Sequence, residues 1–361
     1  MKSVTAPFHL IASAAWLALS IGTLNSATAA TQTGDLELVA QLPIRPGNVA
    51  PAPNNRLFAT VHPLGAPGPA QLIEIIDSTH YQPWPHAAIQ RGTATASDEK
   101  IDSPLGIVVD SKNRLWITDM GLSLGKTRVW GFDIDSGREL YRIELPQAIA
   151  PKGSFVQELA VDDQAGWVYL ADIANPGLIA VEIATGKARR FSGHPALQAE
   201  PEAKMIIGGK AIEYQGKPAS VAVNPLTLSK DRATLFFGAM NGTTWYSLPT
   251  KLLREDADDK QVGAAIKRVG PKPVSDGAST DARGRHFFTN LNENGIDVLN
   301  TDGSLRPLVR DARLDWPDSV HVSDNGWLYI SVNQLYKTTA FTGQQDSGKP
   351  PYLVMRVWPG E

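Results

Sequence analysis

The chain has 361 residues, of which 42% are hydrophobic and 20% are charged, with a formal net charge of −3. This is ordinary globular composition, and the absence of any dense basic run argues against a nucleic acid or an anionic membrane as the main partner. There is no cysteine, which excludes thiolate catalysis and zinc–thiolate sites. The 31 glycines and 26 prolines favour a fold with many tight turns.

The N-terminus has the pattern of a secretory leader. Lys2 supplies a positive charge, residues 10–22 form an apolar run, and residues 27–29 read Ala-Thr-Ala, a cleavage signature. The apolar run is shorter than the roughly 20 residues of a spanning helix, which disfavours the alternative of a membrane anchor. We therefore predict a signal peptide over residues 1–29, a single mature domain over residues 30–361, and a secreted or periplasmic protein without membrane contact after cleavage.

One hairpin-like stretch, residues 103–119, is repeated along the chain. It contains an apolar run at 107–109, a polar turn at 110–113 and a second apolar run at 115–117. Two short β-branched and aromatic runs around a turn are typical of a β-hairpin. Six copies of this pattern are separated by roughly 42 to 62 residues, the spacing at which multi-strand blades repeat. Their first and second strands are predicted at 47–50 and 56–62, 104–109 and 115–119, 155–162 and 167–172, 219–223 and 234–238, 275–281 and 285–290, and 317–322 and 327–331.

The repeats predict an all-β fold, a six-bladed β-propeller. Two β-sandwiches side by side are the alternative, but six copies without a linker favour the propeller. The last strand, 352–358, is predicted to pair with an isolated N-terminal strand, 36–42, and so to close the ring. A single helix is predicted over 249–269, outside the blades.

The two strands of each copy are antiparallel, so the first residues of the first strand and the last residues of the second lie at the same end of the blade. Polar residues at these positions should therefore surround one mouth of the central channel, where converging polar groups indicate a ligand pocket. Asp and Asn at strand ends can also have a purely structural role, in which they cap turns. We prefer this structural role for Asp110, Asp162 and Asp281. The candidate ligand-binding residues are Asn48, Gln157, Glu158 and Asp318 at strand openings, and His62, Asp119, Asp172, Asn290 and Asn333 at strand closings.

Several motifs resemble bacterial members of the yellow/major royal jelly protein family. They are Gly-Asn-Val-Ala at 47–50, Ala-Thr-Val-His-Pro at 59–63, Ser-Pro-Leu-Gly at 103–106, Leu-Trp-Ile-Thr-Asp at 115–119, Trp-Pro-Asp at 316–318 and Val-Asn-Gln-Leu at 332–335. The resemblance implies a secreted six-bladed propeller with a ligand-binding channel. It also implies distant kinship with gluconolactonase and regucalcin, strictosidine synthase and paraoxonase propellers.

Lactonase-type propellers hold a divalent cation with a Glu, an Asn and an Asp at strand-opening positions. Asp276 matches the Asp of this set. The position of the Glu corresponds to Gly47/Asn48 in this sequence, and the position of the Asn corresponds to Ala219/Ser220. A cation such as Ca²⁺ is instead assigned to Asp276, Asp318 and Glu158, because calcium accepts varied oxygen ligands.

Three functions follow from these residues and this resemblance. The first is binding of a small organic ligand in the channel. The alternative is a metal-dependent, gluconolactonase-like hydrolase, in which a cation polarises a carbonyl and activates water. A dopachrome-tautomerase-like isomerase is the further alternative, although no acid/base pair for it is identifiable in the sequence. A protein-interaction scaffold also remains open.

Overall fold

The computed structural model describes residues 1–3, 31–65, 68–255 and 257–361. The predicted signal peptide therefore lies, after residue 3, outside the described residues. The chain divides into two compact units, Met1–Thr31 and Gln32–Glu361, and the strands of the described residues belong to the second. No helix among the described residues has the length and apolarity needed to span a membrane.

The second unit is built almost entirely of short β-strands. The strands are β1 Leu36–Leu42, β2 Pro46–Pro51, β3 Leu57–Val61, β4 Leu72–Ile75, β5 Tyr81–Pro83, β6 Pro104–Val109, β7 Arg114–Asp119, β8 Arg128–Asp133, β9 Glu139–Glu144, β10 Val156–Asp162, β11 Trp167–Asp172, β12 Gly177–Glu182, β13 Ala188–Ser192, β14 Ile206–Ile207, β15 Lys210–Ala211, β16 Glu213–Tyr214, β17 Lys217–Pro218, β18 Val223–Leu228, β19 Thr234–Ala239, β20 Thr244–Pro249, β21 Lys267–Pro271, β22 Ala278–Thr280, β23 His286–Asn290, β24 Gly295–Leu299, β25 Leu305–Arg310, β26 Pro317–Val322, β27 Leu328–Val332 and β28 Tyr352–Val357. The helices are α1 Lys251–Arg254, α2 Asp259–Ala265 and α3 Thr339–Thr342, with 3₁₀ turns at Pro53–Asn55, Ala87–Ile89, Pro195–Leu197 and Leu335–Lys337.

Within the described residues these strands form six four-stranded antiparallel sheets and two small hairpins, β14–β15 and β16–β17. The first strand of each sheet contacts the first strands of its two neighbours, in the cyclic order β2, β6, β10, β18, β22, β26 and back to β2. Six sheets that touch in a closed cycle through their innermost strands make a six-bladed β-propeller. The predicted fold class is confirmed.

The predicted ring closure is also confirmed. Strand β1 lies beside β28 as the outermost strand of the sixth blade, with Leu36 opposite Val357 and Leu42 opposite Tyr352. Both ends of the unit are thus held in one sheet, and the sixth blade receives its fourth strand from the start of the chain. Main-chain hydrogen bonds from Gly34 to Trp358 (2.8 Å) and from Trp358 to Asp35 (3.0 Å) extend this pairing.

The hairpin at residues 103–119 shows why the sequence pattern predicts the blade. Ile107 lies opposite Ile117 in the β6–β7 ladder, and both side chains are buried. Together with Ala50 and Phe58 of the first blade and Trp130 of its own blade, they form one apolar cluster. The hydrophobic core of the propeller therefore lies between adjacent blades, where alternating side chains of neighbouring sheets meet.

Two predictions about the fourth blade are wrong. The single helix predicted over 249–269 is two short helices, α1 and α2, followed by strand β21, which completes the blade. Helix α2 begins with a capping box between Asp258 and Gln261 and ends at Ile266, which is extended. The first strand of this blade is β18, four residues later than the predicted 219–223. This displacement changes which residue faces the channel.

Candidate functional site

The innermost strands share an irregularity at their first residues. The ladder register shifts near the start of β2, β6, β10, β18 and β26, which is the mark of a β-bulge. Such bulges re-aim side chains and are frequent beside functional sites. The residues at the first bulge position, with the matching residue before β22, are Gly47, Leu105, Gln157, Asn224, Asp276 and Asp318.

Hydroxyl groups on the second strands hold these bulges in place. Thr60 Oγ1 accepts a hydrogen bond from the Asn48 N–H (3.0 Å) and donates to the carbonyl of Leu105 in the next blade (2.7 Å). Thr118 Oγ1 does the same for Gly106 (2.9 Å) and the carbonyl of Gln157 (3.3 Å). Each hydroxyl therefore fixes its own bulge and ties it to the adjacent blade, so the groups at the channel mouth are rigidly placed.

Asp276 is the most heavily hydrogen-bonded of the channel residues. Its carboxyl group accepts hydrogen bonds from Gln157 Nε2 (2.6 Å), Asn224 Nδ2 (2.6 Å) and Trp316 Nε1 (2.8 Å). The donors come from the third, fourth and sixth blades, and the carboxyl group itself has no exposure to solvent. Four blades thus converge on one side chain.

Two further buried carboxyl groups complete the arrangement. Glu158 Oε1 accepts from Asn48 Nδ2 (2.8 Å), and Asp318 Oδ2 accepts from Asn333 Nδ2 (2.6 Å). All four of these side chains are 4% exposed or less. We call Glu158, Asp276 and Asp318 the carboxylate cluster; its amide partners are Asn48, Gln157, Asn224 and Asn333.

Burial and mutual repulsion disfavour ionisation of the cluster. Burial raises the pKa of Glu158 to about 8, opposed by the Asn48 hydrogen bond and assisted by the negative charge of Asp276. Burial likewise raises the pKa of Asp276 to about 7 against the pull of its hydrogen-bond donors. Burial and then the charge of Asp276 raise the pKa of Asp318 well above its usual value. Neutralising the cluster by protons or by a bound cation is therefore favoured near neutral pH.

The amide groups around the cluster leave oxygens free. In the described parts of the chain, Asn48 Oδ1, Asn224 Oδ1, Asn333 Oδ1 and Asp318 Oδ1 are buried without a hydrogen-bond partner. Buried polar atoms normally find partners, so each unpaired oxygen needs an explanation.

A hard divalent cation suits this set of donors, because calcium binds carboxylate and amide oxygens together. The carboxylates alone would not suffice. Within the described residues, no three His, Cys, Asp or Glu side chains are grouped so that they could hold a metal ion. The set predicted for a cation, Asp276, Asp318 and Glu158, therefore needs amide oxygens as additional ligands.

His62 stands beside the cluster as a hydrogen-bond donor. Its Nδ1 accepts from the Leu64 N–H (3.1 Å), and its Nε2 lies 4.0 Å from Asp318 Oδ2. Burial, aided by the positive charge of Arg45, lowers the pKa of His62 to about 3. The ring is therefore neutral at pH 7, and because Nδ1 is an acceptor, the proton resides on Nε2. His62 offers an N–H to a ligand and has no free lone pair to act as a base.

A small pocket of about 210 Å³ opens above these residues. His62, Gln157 and Trp316 contribute to its polar side, and its walls are mostly apolar. Tyr214 of the β16–β17 hairpin and Phe341 of α3 also line it, and their rings meet edge to face at 5.1 Å. We call this cavity the mouth pocket. It joins an apolar enclosure to convergent polar groups, the combination expected of a small-molecule site.

Most of the predicted site residues are brought together. The residues that lie in or beside the carboxylate cluster are Asn48, His62, Gln157, Glu158, Asp276, Asp318 and Asn333.

Three predicted residues are used elsewhere. Asp119 forms an ion pair with Arg128 (2.7 Å), Asp172 forms one with Arg190 (3.1 Å), and Asn290 donates to a neighbouring aspartate. Asp119 and Asp172 also accept main-chain N–H groups, so they brace the turns at the ends of their strands.

Sequence reasoning missed two residues of the site. The assignment of the fourth-blade position to Ala219/Ser220 is wrong, because β18 begins at Val223 and presents Asn224. The Asn-Pro dipeptide at 224–225 directly follows the predicted strand 219–223 and was the available signal. Trp316 was noted as part of the Trp-Pro-Asp motif; it is fully buried, and its indole N–H donates to Asp276.

Comparisons with known proteins agree with this architecture. Residues 102–346 match the family model described as major royal jelly protein. Protein yellow of Drosophila pseudoobscura pseudoobscura is 25% identical over 310 residues, covering 78% of this chain and 55% of the relative. L-dopachrome tautomerase yellow-f of Drosophila melanogaster is 21% identical, covering 78% and 72%. The chain thus spans about half the length of the Drosophila relatives named Protein yellow.

Solved structures show the same fold at low identity. A gluconolactonase of Xanthomonas campestris superposes with a TM-score of 0.55 and 14% identity, covering 92% of this chain and 93% of that one. A streptogramin B lyase gives a TM-score of 0.52 at 12% identity, covering 89% and 96%. The family model covers more than half of the residues, so this chain belongs to the major royal jelly protein family.

Proposed function

We propose that this protein binds a small organic molecule in the mouth pocket of its propeller channel. The observation that carries the proposal is the apolar pocket of about 210 Å³ directly beside the buried carboxylate cluster. Its volume lies below the roughly 300–1,000 Å³ of sites for drug-sized ligands, which favours a compact molecule. Export, as a secreted or periplasmic protein, is part of the proposal and fits the leader predicted at residues 1–29.

The pocket also constrains the polarity of the ligand. The apolar body would lie against Tyr214, Met240 and Phe341, which line the walls. A polar end of the ligand would accept a hydrogen bond from the Nε2–H of His62 and approach Gln157. A fully apolar molecule would leave these buried groups without partners, which costs free energy.

A thermal-shift panel of amines, sugar acids, lactones and sterols tests the proposal. Ala174 lines the pocket and is itself exposed, so Ala174→Trp should obstruct the pocket without disturbing the core. We expect at least one compound class to stabilise the protein and Ala174→Trp to weaken its binding by about tenfold or more, equivalent to about 1.4 kcal/mol.

The matched control is Ala165→Trp, an exposed alanine in the turn between β10 and β11. This variant should bind as the native protein does. No stabilisation by any compound, or equal binding by the two tryptophan variants, would contradict the proposal.

A second candidate is a cation-assisted, lactonase-type hydrolase. The unpaired oxygens of Asn48, Asn224 and Asp318 favour it, because they adjoin carboxylates whose raised pKa values favour neutralisation by a cation. A divalent cation held there would polarise a lactone carbonyl and lower the pKa of a water. The gluconolactonase comparison supports the fold of this candidate and not its chemistry.

Elemental analysis after equilibration with Ca²⁺ tests this second candidate. We expect about one ion per chain, lost together with any lactone turnover in Asp276→Asn. The control is Asp311→Asn, which removes an aspartate from a turn on a distant edge of the fifth blade. Retention of the ion or of turnover in Asp276→Asn would rule the candidate out. The Nδ1 lone pair of His62 is already engaged, so His62 does not supply the base that a dopachrome-tautomerase-like activity would need.

A further inference from the structure

A second, larger cavity lies at the opposite end of the inner strands. Its volume is about 860 Å³, and it is lined by the turns that follow the first strands of the first, second and sixth blades. The β4–β5 turn of the first blade, at residues 75–78, and Val39 of β1 extend the lining outward between the first and sixth blades. Arg232, from the equivalent turn of the fourth blade, also lines it. The first and fourth blades face each other across a six-membered ring, so this cavity spans the far mouth of the channel. We call it the far cavity.

The turns around the ring differ at one backbone position. Each hairpin between the first and second strands has at least one residue in a left-handed conformation, with φ between 56° and 84°. Glycine adopts it without steric cost, whereas other residues pay for it. The residues at this position are Asn55, Asn113, Gly166, Arg232, Gly284 and Gly326.

The non-glycine residues of this set coincide with the far cavity. Asn55, Asn113 and Arg232 all line it, and none of the three glycines does. The neighbouring Asn54, also left-handed with φ of 59°, lines it as well. Side chains thus replace the conformationally easier glycine only in turns where they reach this cavity.

The charged side chains in the far cavity are largely neutralised by partners. Arg56 binds Glu74 (2.6 Å), Arg232 binds Asp163 (2.7 Å) and Asp110 binds Arg114 (2.7 Å). Asp77 accepts hydrogen bonds from its own turn. The exposed Asp324 is the remaining carboxylate among the described lining residues. The cavity therefore does not present a concentrated charge of either sign.

The amides, by contrast, are available. In the described parts of the chain, the side chains of Asn54 and Asn55 make no hydrogen bond, and Asn113 Oδ1 is buried without a partner. Each amide offers two N–H donors and a carbonyl acceptor. Three such groups in one cavity match a ligand whose own groups both donate and accept, as hydroxyl groups do.

We propose that the far cavity is a second binding site, which takes a neutral, hydroxyl-rich ligand, that is, a saccharide or a related polyol. Asn54, Asn55 and Asn113 hydrogen-bond its hydroxyl groups, and the volume of about 860 Å³ accommodates more than one sugar ring. The site is independent of the mouth pocket and of the function proposed there, because the two lie at opposite ends of the inner strands.

The test uses a panel of neutral mono- and disaccharides with glucosamine and gluconate as charged analogues, followed by ligand-observed NMR and calorimetry on the full chain. The variants are Asn55→Gly and Asn113→Gly. Glycine is the residue that other blades carry at this position, so both variants should keep the fold and its melting temperature. We expect a neutral sugar to bind, and each variant to weaken its binding by about tenfold, the effect of losing one or two hydrogen bonds.

The matched control is Asn294→Gly, which makes the same change in a left-handed turn residue outside the cavity. It should leave sugar binding unchanged, as should Ala174→Trp in the mouth pocket. The proposal is overturned if no neutral sugar in the panel binds, if only a charged analogue binds, or if the two glycine variants bind as tightly as the native chain. Loss of sugar binding in Ala174→Trp would assign it to the mouth pocket and equally overturn the proposal.

Discussion

Replacing Glu158 with glutamine is expected to make the protein more stable than the native chain at pH 8, with little difference near pH 4. Burial raises the pKa of Glu158 from 4.5 to about 8, so the native state keeps a proton that the unfolded chain releases. The stabilisation from this proton is complete below about pH 4.5 and is lost as the pH rises through 8. Each unit of pKa shift corresponds to about 1.4 kcal/mol, so the expected change reaches several kcal/mol.

The comparison of variant with native protein is needed because other groups titrate in the same range. The pKa of His62 is lowered by burial and the nearby Arg45, and those of His286 and His321 chiefly by burial. The native state therefore gains stability from these groups as the pH rises from about 4 to 6.5. Burial also lowers the pKa of Lys272 to about 7, with the same sign above that pH. These contributions are common to both proteins and cancel in the difference.

Urea unfolding at a series of pH values between 4 and 8.5 measures this difference. Glutamine keeps the acceptor for Asn48 Nδ2 and removes only the ionisable group. The control is Glu202→Gln, an exposed glutamate whose replacement should give a flat difference. A flat difference for Glu158→Gln as well would show that Glu158 is ionised in the native state throughout and would contradict the assigned pKa.

Calcium should reduce this difference in stability. A cation at the cluster stabilises the ionised native protein and has one carboxylate fewer to bind in the variant. The excess stability of Glu158→Gln at pH 8 should therefore shrink or disappear in millimolar Ca²⁺. If it stays unchanged, the cation-assisted hydrolase loses its support, whereas the proton-linked stability of the cluster does not depend on that result.

The blade repeat and ring closure could be predicted because they depend on local signals. Alternating apolar residues with a turn between them define each hairpin, as at residues 103–119, and two lone strands at the ends of the chain have only each other to pair with. Where the local signal is ambiguous, the prediction is wrong. Residues 267–269 were included in the predicted helix, yet they belong to β21, which pairs with β20 as an edge strand.

The site was predictable as a location and less so as a set of residues. The strand-opening rule found Asp276, Glu158 and Asp318, since antiparallel pairing fixes which face they share. It missed Asn224 because the first strand of the fourth blade was predicted at 219–223, and the proline after Asn224 ordinarily argues against a strand interior. The bulge at the start of β18 is what admits Pro225. Whether an aspartate braces a turn or joins the cluster depends on the partner that the neighbouring strand supplies, such as Arg128 of β8 for Asp119.

Trp316→Phe is expected to destabilise the protein more than Trp245→Phe, although both tryptophans are fully buried. Trp316 Nε1 donates to Asp276 Oδ2 at 2.8 Å, whereas in the described chain the indole nitrogen of Trp245 has no partner. Both substitutions remove similar volume, so the difference between them reports the hydrogen bond. Leaving a buried acceptor unpaired costs about 1–3 kcal/mol, which sets the expected excess loss for Trp316→Phe.

The same pair of variants also tests whether Trp316 affects the pKa of Asp276. The Trp316 hydrogen bond lowers the pKa of Asp276, so its removal should raise that pKa further above 7. The free energy of unfolding of Trp316→Phe should therefore fall more steeply than that of Trp245→Phe as the pH rises from 6 to 8. Urea unfolding of both variants at these two pH values measures the difference. Equal losses at both pH values would mean that Trp316 serves only as packing against Tyr336 and Phe341. A steeper loss would instead make the indole N–H one of the groups that set the charge of the cluster.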